Sequence, residues 1–164
     1  MALRKIRRNG DSVLKKKTTP ITKFSPQLHR LLEDMTETMF TAEGVGLAAP
    51  QVGISKSIIV LRDDDKVLEV INPEIISSTG EIIDLEGCLS FPGIYGEVAR
   101  FERIKVSGFD RWGQEMLLTA EGFLARIFQH EIDHLHGILF VDRASRLLTP
   151  EEVKNISRQN GGAE

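Results

Sequence analysis

Between Phe123 and Leu135 the chain leaves few architectures open to itself. Phe123, Leu124, Ile127, Phe128, Ile132 and Leu135 recur at helical spacing and cover a face too wide for a helix lying on the surface of a domain. Such a helix must be wrapped by other elements. Thr119 is placed to cap its start and Gly137 to end it. The same helix carries His130, Glu131 and His134. One turn sets the two imidazoles on one face, with Cβ atoms about 6 Å apart, so both reach one metal ion while Glu131 flanks the ion's open side as a base. The chain has only four histidines, and leaving two of them in an apolar face without a partner would be costly.

The rest of the pattern supplies the wrapping. From Ser57 to Gly113 short β-rich runs at 57–61, 67–72, 81–85 and 102–108 are broken by Asp63-Asp64-Asp65, Asn72-Pro73, Ser78-Thr79-Gly80, Pro92-Gly93 and Trp112-Gly113. Tight turns between strands favour antiparallel pairing, which makes the class α+β with sheets packed around a central helix. Ser25-Pro26 opens an N-terminal amphipathic helix over 26–42, on which Leu28, Leu31, Leu32, Met35 and Met39 share a face. Thr149-Pro150-Glu151-Glu152 is a capping box that opens a short C-terminal helix of about ten residues.

At 164 residues, 41% apolar and 27% charged, the chain fits a single domain spanning 1–164, and disordered, collagenous and coiled-coil classes are excluded. No apolar run approaches the ~20 residues that a transmembrane helix needs, so no membrane role is expected. A net charge of −3 argues against a dedicated nucleic-acid binder, and no DNA partner is expected. Residues 4–17 nevertheless concentrate Arg4, Lys5, Arg7, Arg8, Lys15, Lys16 and Lys17 against only Asp11. That segment reads as a solvated arm, or as a contact for an anionic partner such as RNA. It lacks the apolar stretch of ~7–15 residues that would make it a signal peptide.

A catalytic ion held by two histidines needs a third protein ligand. The metzincin pattern fails, because Phe140 stands where its last histidine belongs. Glu151 and Glu152 lie at a distance suited to a gluzincin-type zinc endopeptidase, but the capping box already accounts for them. Cys88, the only cysteine, sits in Glu86-Gly87-Cys88-Leu89-Ser90 between strands rather than in an apolar run. It is the better candidate, and with no disulfide available a reducing compartment is expected. A third segment, Gly44-Val45-Gly46-Leu47-Ala48-Ala49-Pro50-Gln51-Val52-Gly53, fits a dinucleotide fingerprint by spacing. Its context rejects that reading, since a helix precedes it and a strand follows. It reads instead as an extended rim that can take a peptide as an added strand, with Gln51 either aimed at a developing oxyanion or closing a local turn.

In this order and at these separations, Gly44–Gly53, Glu86–Ser90 and Gln129–Gly137 resemble the three motifs of the peptide deformylases, over roughly residues 20–145. The resemblance implies antiparallel sheets around a central H-E-x-x-H helix, and a metal-dependent hydrolase whose partners are N-formylmethionyl nascent polypeptides, from which it removes the formyl group. It places the metal ligands on Cys88, His130 and His134, the general acid/base on Glu131, and the oxyanion donors on the Gln51 side chain and the Leu89 backbone N–H. It places substrate contacts on Gly44, Val45, Gly46, Gly87, Phe123 and Ile127. The implied native ion is Fe(II), replaceable by Zn(II), Ni(II) or Co(II). Asp133 is expected to pair with Arg100, and His29 and His136 to lie on the surface. The insertion-free spacing resembles the bacterial and organellar type 1 enzymes, which favours bacterial cytoplasm over a mature organellar form. The arm departs from the family in lacking the usual proline, which bears on its packing, and its basic residues are a candidate contact for the ribosome. The alternative is an H-E-x-x-H zinc endopeptidase with Glu151 or Glu152 as third ligand. A non-catalytic metal module would need a fourth ligand near Cys88, and the sequence offers none.

Overall fold

A computed structural model describes residues 2–161. After the arm, the Ser25 hydroxyl accepts the Leu28 N–H at 3.3 Å and opens helix α1, Pro26–Thr41. There follow β1 (Gly46–Ala48), a 3-10 turn at Ala49–Val52, β2 (Ile58–Asp63), β3 (Lys66–Thr79), β4 (Ile82–Cys88), β5 (Phe91–Arg100), β6 (Arg103–Phe109) and β7 (Glu115–Glu121). The chain then forms α2 (Gly122–Leu135), α3 (Phe140–Arg143), β8 (Arg146–Leu148) and α4 (Pro150–Gly161). One sheet has the order β1-β2-β3-β6-β7 and the other β4-β5-β8, with every neighbouring pair antiparallel.

Strand β2 shows why the larger sheet holds both long helices. Ile58, Ile59, Val60 and Leu61 are all buried, because alternate side chains leave opposite faces and both faces are covered. Ile59 and Leu61 join Ala125, Ile127, Phe128 and Ile132 of α2, whereas Ile58 and Val60 join Leu28, Leu32, Met35 and Met39 of α1. Each such aliphatic side chain contributes roughly 1.5–3 kcal/mol when fully buried. Helix α2 is thus enclosed on most of its circumference, as its wide apolar face requires. A third cluster, Leu14, Phe91, Val98, Leu139 and Phe140, fastens the arm to the smaller sheet.

Three local expectations are corrected. Thr119 does not cap α2: it lies inside β7, whose ladder with β6 runs on to Arg103↔Glu121, so the helix starts only at Gly122 with φ +58°. Asn72-Pro73 does not end a strand. β3 passes through it as a bulge, with Asn72 at φ +53° and its side chain holding the Ile21 N–H and C=O at 2.8 and 2.9 Å. Pro92-Gly93 likewise lies within β5 rather than between strands. The capping box forms as read, the Thr149 hydroxyl accepting the Glu152 N–H at 3.2 Å.

Candidate active site

Helix α2 carries His134 into the interior, 1% exposed, and β4 delivers Cys88 beside it. A register shift between Glu86 and Cys88 bends the end of β4 before it turns into β5. Cys88 Sγ then lies 3.4 Å from His134 Nε2, and one donor atom each from Cys88, His130 and His134 lie within 4.8 Å of one another. Ligand atoms around a tetrahedral ion at ordinary Zn–S and Zn–N lengths stand about 3.6 Å apart, so the donors are already near the spacing that an ion imposes. A thiolate with two imidazoles suits Zn(II) or Fe(II) by softness. Glu131 lies between the histidines, with Oε1 3.8 Å from His130 Nε2 and 4.0 Å from His134 Nε2. Its Oε2 is buried with no hydrogen-bond partner among the described residues. The donor set, its spacing and this free carboxylate oxygen all fit a bound ion with one open position.

Behind the ligands lies a buried ion-pair network. Glu86 Oε1 accepts from His130 Nδ1 at 2.8 Å and Arg100 Nη2 at 2.9 Å, and Oε2 from Arg100 Nε at 2.8 Å and Arg126 Nη1 at 2.6 Å. Arg126 also donates to the carbonyls of Val98 and Ile82, tying α2 to the smaller sheet. Arg100 Nη1 reaches Asp133 at 2.6 Å, as expected, and Arg143 of α3 holds the same carboxylate at 2.6 and 3.0 Å. Burial alone would raise the Glu86 carboxyl, but the bonds from Arg100 and His130 outweigh it and hold Glu86 well below the usual carboxylate range. Burial pushes Glu131 the other way, up to about 7, against the opposing field of His130. Burial also pushes His134 well below its ordinary value, which keeps the imidazole neutral and free to ligate.

Gln51 is 1% exposed, and its amide orientation is fixed locally. Oε1 accepts the Ala48 N–H at 3.0 Å, which leaves Nε2 facing Cys88 Sγ at 3.5 Å and Ser90 Oγ at 3.2 Å. Leu89 occupies the tight turn between β4 and β5, where Cys88 pairs with Phe91. A cleft of about 420 Å³ is lined by Gly44, Val45, Gly46, Gln51, Gly87, Cys88, Leu89, Phe123, Ile127, His130 and Glu131. Val45 and Phe123 are exposed at its rim and Ile127 is buried at its base. Every residue expected in the site therefore meets at one cleft, with His134 behind its wall. Glu151 and Glu152 do not: both stand on α4, outside the lining, with Glu152 engaged in the capping box. The zinc-endopeptidase alternative loses its third ligand.

Sequence reading missed three members of the site. In the sequence Glu86 stands out only as a neighbour of Cys88, and nothing local singles out Arg126 or Arg143. His29 is not a surface residue either. It is half-buried, bonded to the Arg111 carbonyl at 2.7 Å and set edge-on to Trp112, whereas His136 is exposed as expected. The basic arm, too, is no freely solvated tail. Arg7 N–H donates to the Gln51 carbonyl at 2.6 Å and Asn9 N–H to the Ser90 carbonyl at 2.9 Å.

Comparison with known proteins gives a consistent result. The family model described as polypeptide deformylase matches residues 3–149. A peptide deformylase of Carboxydothermus hydrogenoformans is 51% identical over 148 residues, covering 90% of this chain and 97% of that protein. The crystal structure of peptide deformylase from Thermotoga maritima superposes with a TM-score of 0.87 at 46% identity, covering 89% of this chain and all of that one. A peptide deformylase from Synechococcus elongatus, solved in complex with actinonin, gives 0.84 at 39% identity, covering 95% of this chain and 85% of that one.

Proposed function

This chain belongs to the peptide deformylase family, metal-dependent hydrolases that remove N-formyl groups, and from that membership we propose how its own residues do the work. The family match over 3–149 supports reading the chain as one catalytic domain. Cys88, His130 and His134 hold one divalent ion, Fe(II) in the native enzyme, with Zn(II), Ni(II) or Co(II) as substitutes. When bound, the ion polarises the formyl carbonyl and acidifies the attacking water.

The protein groups handle the proton and the charge. Glu131, its carboxylate lying between the two histidines, takes the proton from the attacking water and returns it to the leaving amine. The Gln51 Nε2 amide, held by Ala48, and the Leu89 N–H donate to the oxygen that becomes negative as the formyl carbon turns tetrahedral. Such a donor is worth about 3 kcal/mol. The segment Gly44–Gly46, which leads into edge strand β1, and Gly87 receive the peptide backbone, while Val45, Phe123 and Ile127 line the space for the methionine side chain. A Cβ on Gly46 would stand 2.9 Å from Ile127 Cγ2 and 3.0 Å from Glu131 Cγ, so this edge packs directly on α2 beside Glu131; selection of formyl over acetyl by a narrow site belongs to the same proposal.

The observation that carries this reading is the convergence of Cys88 with His130 and His134 around Glu131 in one cleft. Formate release from formyl-Met-Ala-Ser tests it, with acetyl-Met-Ala-Ser as control. Rapid release from the first and negligible hydrolysis of the second are expected, and comparable turnover of both would overturn that selection. Nascent chains as substrate and a thiolate ligand that oxidation would disable support a location in reducing bacterial cytoplasm. Contact between the exposed Lys15-Lys16-Lys17 run and the ribosome belongs to the same reading, supported by charge alone.

A further inference from the structure

The arm builds a second groove that the chemistry described so far does not use. Its backbone is pinned at three points: Arg4 N–H to Thr38 Oγ1 at 3.0 Å, Arg7 N–H to the Gln51 carbonyl, and Asn9 N–H to the Ser90 carbonyl. Between the arm, the end of α1 and the turn at Leu89–Pro92 runs a groove of about 860 Å³. Leu89 and Pro92 line both it and the catalytic cleft, so the two spaces share a wall.

The cleft rim gives a direction. Gly46 stands against Glu131, and Gly44, two residues back, stands against the Leu89 side chain. Ala42 and Thr41, further back again, line the groove. A peptide whose formyl end lies at Glu131 and whose backbone follows this edge is therefore led past Leu89 towards the arm. Charge there is one-sided. Arg4 is spent on Asp34 at 3.0 Å and Arg7 leans on Asp11 at 3.5 Å. Lys5 and Arg8 are exposed and have no ion-pair partner among the described residues. Glu43 lines the catalytic cleft rather than the groove and has no ion-pair partner among the described residues.

We propose that this groove receives the nascent chain beyond its first few residues, and that Lys5 and Arg8 favour substrates with acidic side chains at about the fourth to sixth positions. The proposal rests on the deformylase reading and extends it from the first residue to the body of the substrate. Exposed pairs of this kind contribute modestly one by one and are screened by salt, so the effect belongs in KM and at low ionic strength.

The test compares formyl-Met-Ala-Ser-Glu-Asp-Glu with formyl-Met-Ala-Ser-Lys-Arg-Lys, using formyl-Met-Ala-Ser as reference. The acidic peptide is expected to show a kcat/KM about fivefold higher at low salt, through KM, with the ratio collapsing in about 0.5 M salt. In the Lys5→Glu/Arg8→Glu double variant the ratio should invert. Equal kcat/KM for the two hexapeptides, or a preference that survives the charge reversal, overturns the proposal. If the reversal instead weakens co-sedimentation with ribosomes while leaving the peptide ratio unchanged, the arm serves RNA and the proposal is likewise wrong. Failure on formyl-Met-Ala-Ser itself would refute the deformylase reading rather than the groove.

Discussion

The carboxylate of Glu86 lies 2.8 Å from Nδ1 of His130, and this contact sets which nitrogen of that histidine faces the metal position. A carboxylate can only accept, so Nδ1 bears the hydrogen and Nε2 is left as the ligand. Two buried arginines hold Glu86 in turn, Arg100 at 3% and Arg126 at 6% side-chain exposure. The candidate metal site is thus built on an ion-pair cluster that is itself part of the core.

Removing Glu86 should cost stability and metal affinity together. Glu86→Ala leaves Arg126 as an uncompensated buried cation and Arg100 with Asp133 alone, and a loss of about 3–5 kcal/mol in urea unfolding is expected. Glu86→Gln keeps the shape and should fold, with metal affinity reduced roughly 10- to 100-fold. The pH dependence has a definite sign. The folded-state pKa of Glu86 is depressed, so its contribution is present above the unfolded value near 4.5 and is lost as pH falls through the folded one. The stability gap between wild type and Glu86→Gln should be full at neutral pH and shrink progressively as pH falls below about 4.5, vanishing only at the depressed folded-state value.

Glu131 has the opposite linkage. Its folded pKa is raised from 4.5 to about 7, so the metal-free protein loses stability as pH rises through that interval, by about 3 kcal/mol. Glu131→Gln has no such carboxylate to bury. Metal-free Glu131→Gln is therefore expected to melt roughly 10 °C above metal-free wild type at pH 8 and close to it at pH 4.5. The same substitution should lower kcat of the loaded enzyme at least 100-fold, since the proton acceptor is gone. Equal melting curves at both pH values would contradict the burial argument.

Gly46 tests the close packing of this edge on α2. Gly46→Ala places a methyl 2.9 Å from Ile127 Cγ2 and 3.1 Å from Glu131 Cδ, so the catalytic carboxyl or the edge strand must shift. A displacement of that size is expected to lower kcat/KM about 10- to 100-fold, with metal content unchanged. A full complement of metal with unaltered kcat/KM would mean that Glu131 tolerates the shift.

Much of the site was legible because its chemistry is written in short segments. The H-E-x-x-H spacing alone sets two imidazoles and a carboxylate on one helix, and the width of the apolar face foretold that α2 would be enclosed. Cys88 could be weighed against Glu151 and Glu152 because the capping box explained those two. What stayed hidden depends on residues distant in sequence. Arg126 makes sense only beside Glu86, 40 positions away. Thr119 looked like a cap because nothing local reports that β7 pairs with β6 as far as Glu121. Asn72-Pro73 looked like a break because the partner of Asn72, the Ile21 backbone, lies 51 residues earlier.

The central claim is that Cys88 completes the ion site with His130 and His134. Metal content of Cys88→Ser, purified beside wild type under reducing and oxygen-free conditions, tests it most directly. Wild type should carry about one divalent ion per chain and Cys88→Ser a small fraction of that, with formate release falling in parallel, since a hydroxyl is a far poorer ligand than a thiolate. Cys88→Ser that keeps a full complement of metal and wild-type formate release would contradict the assignment.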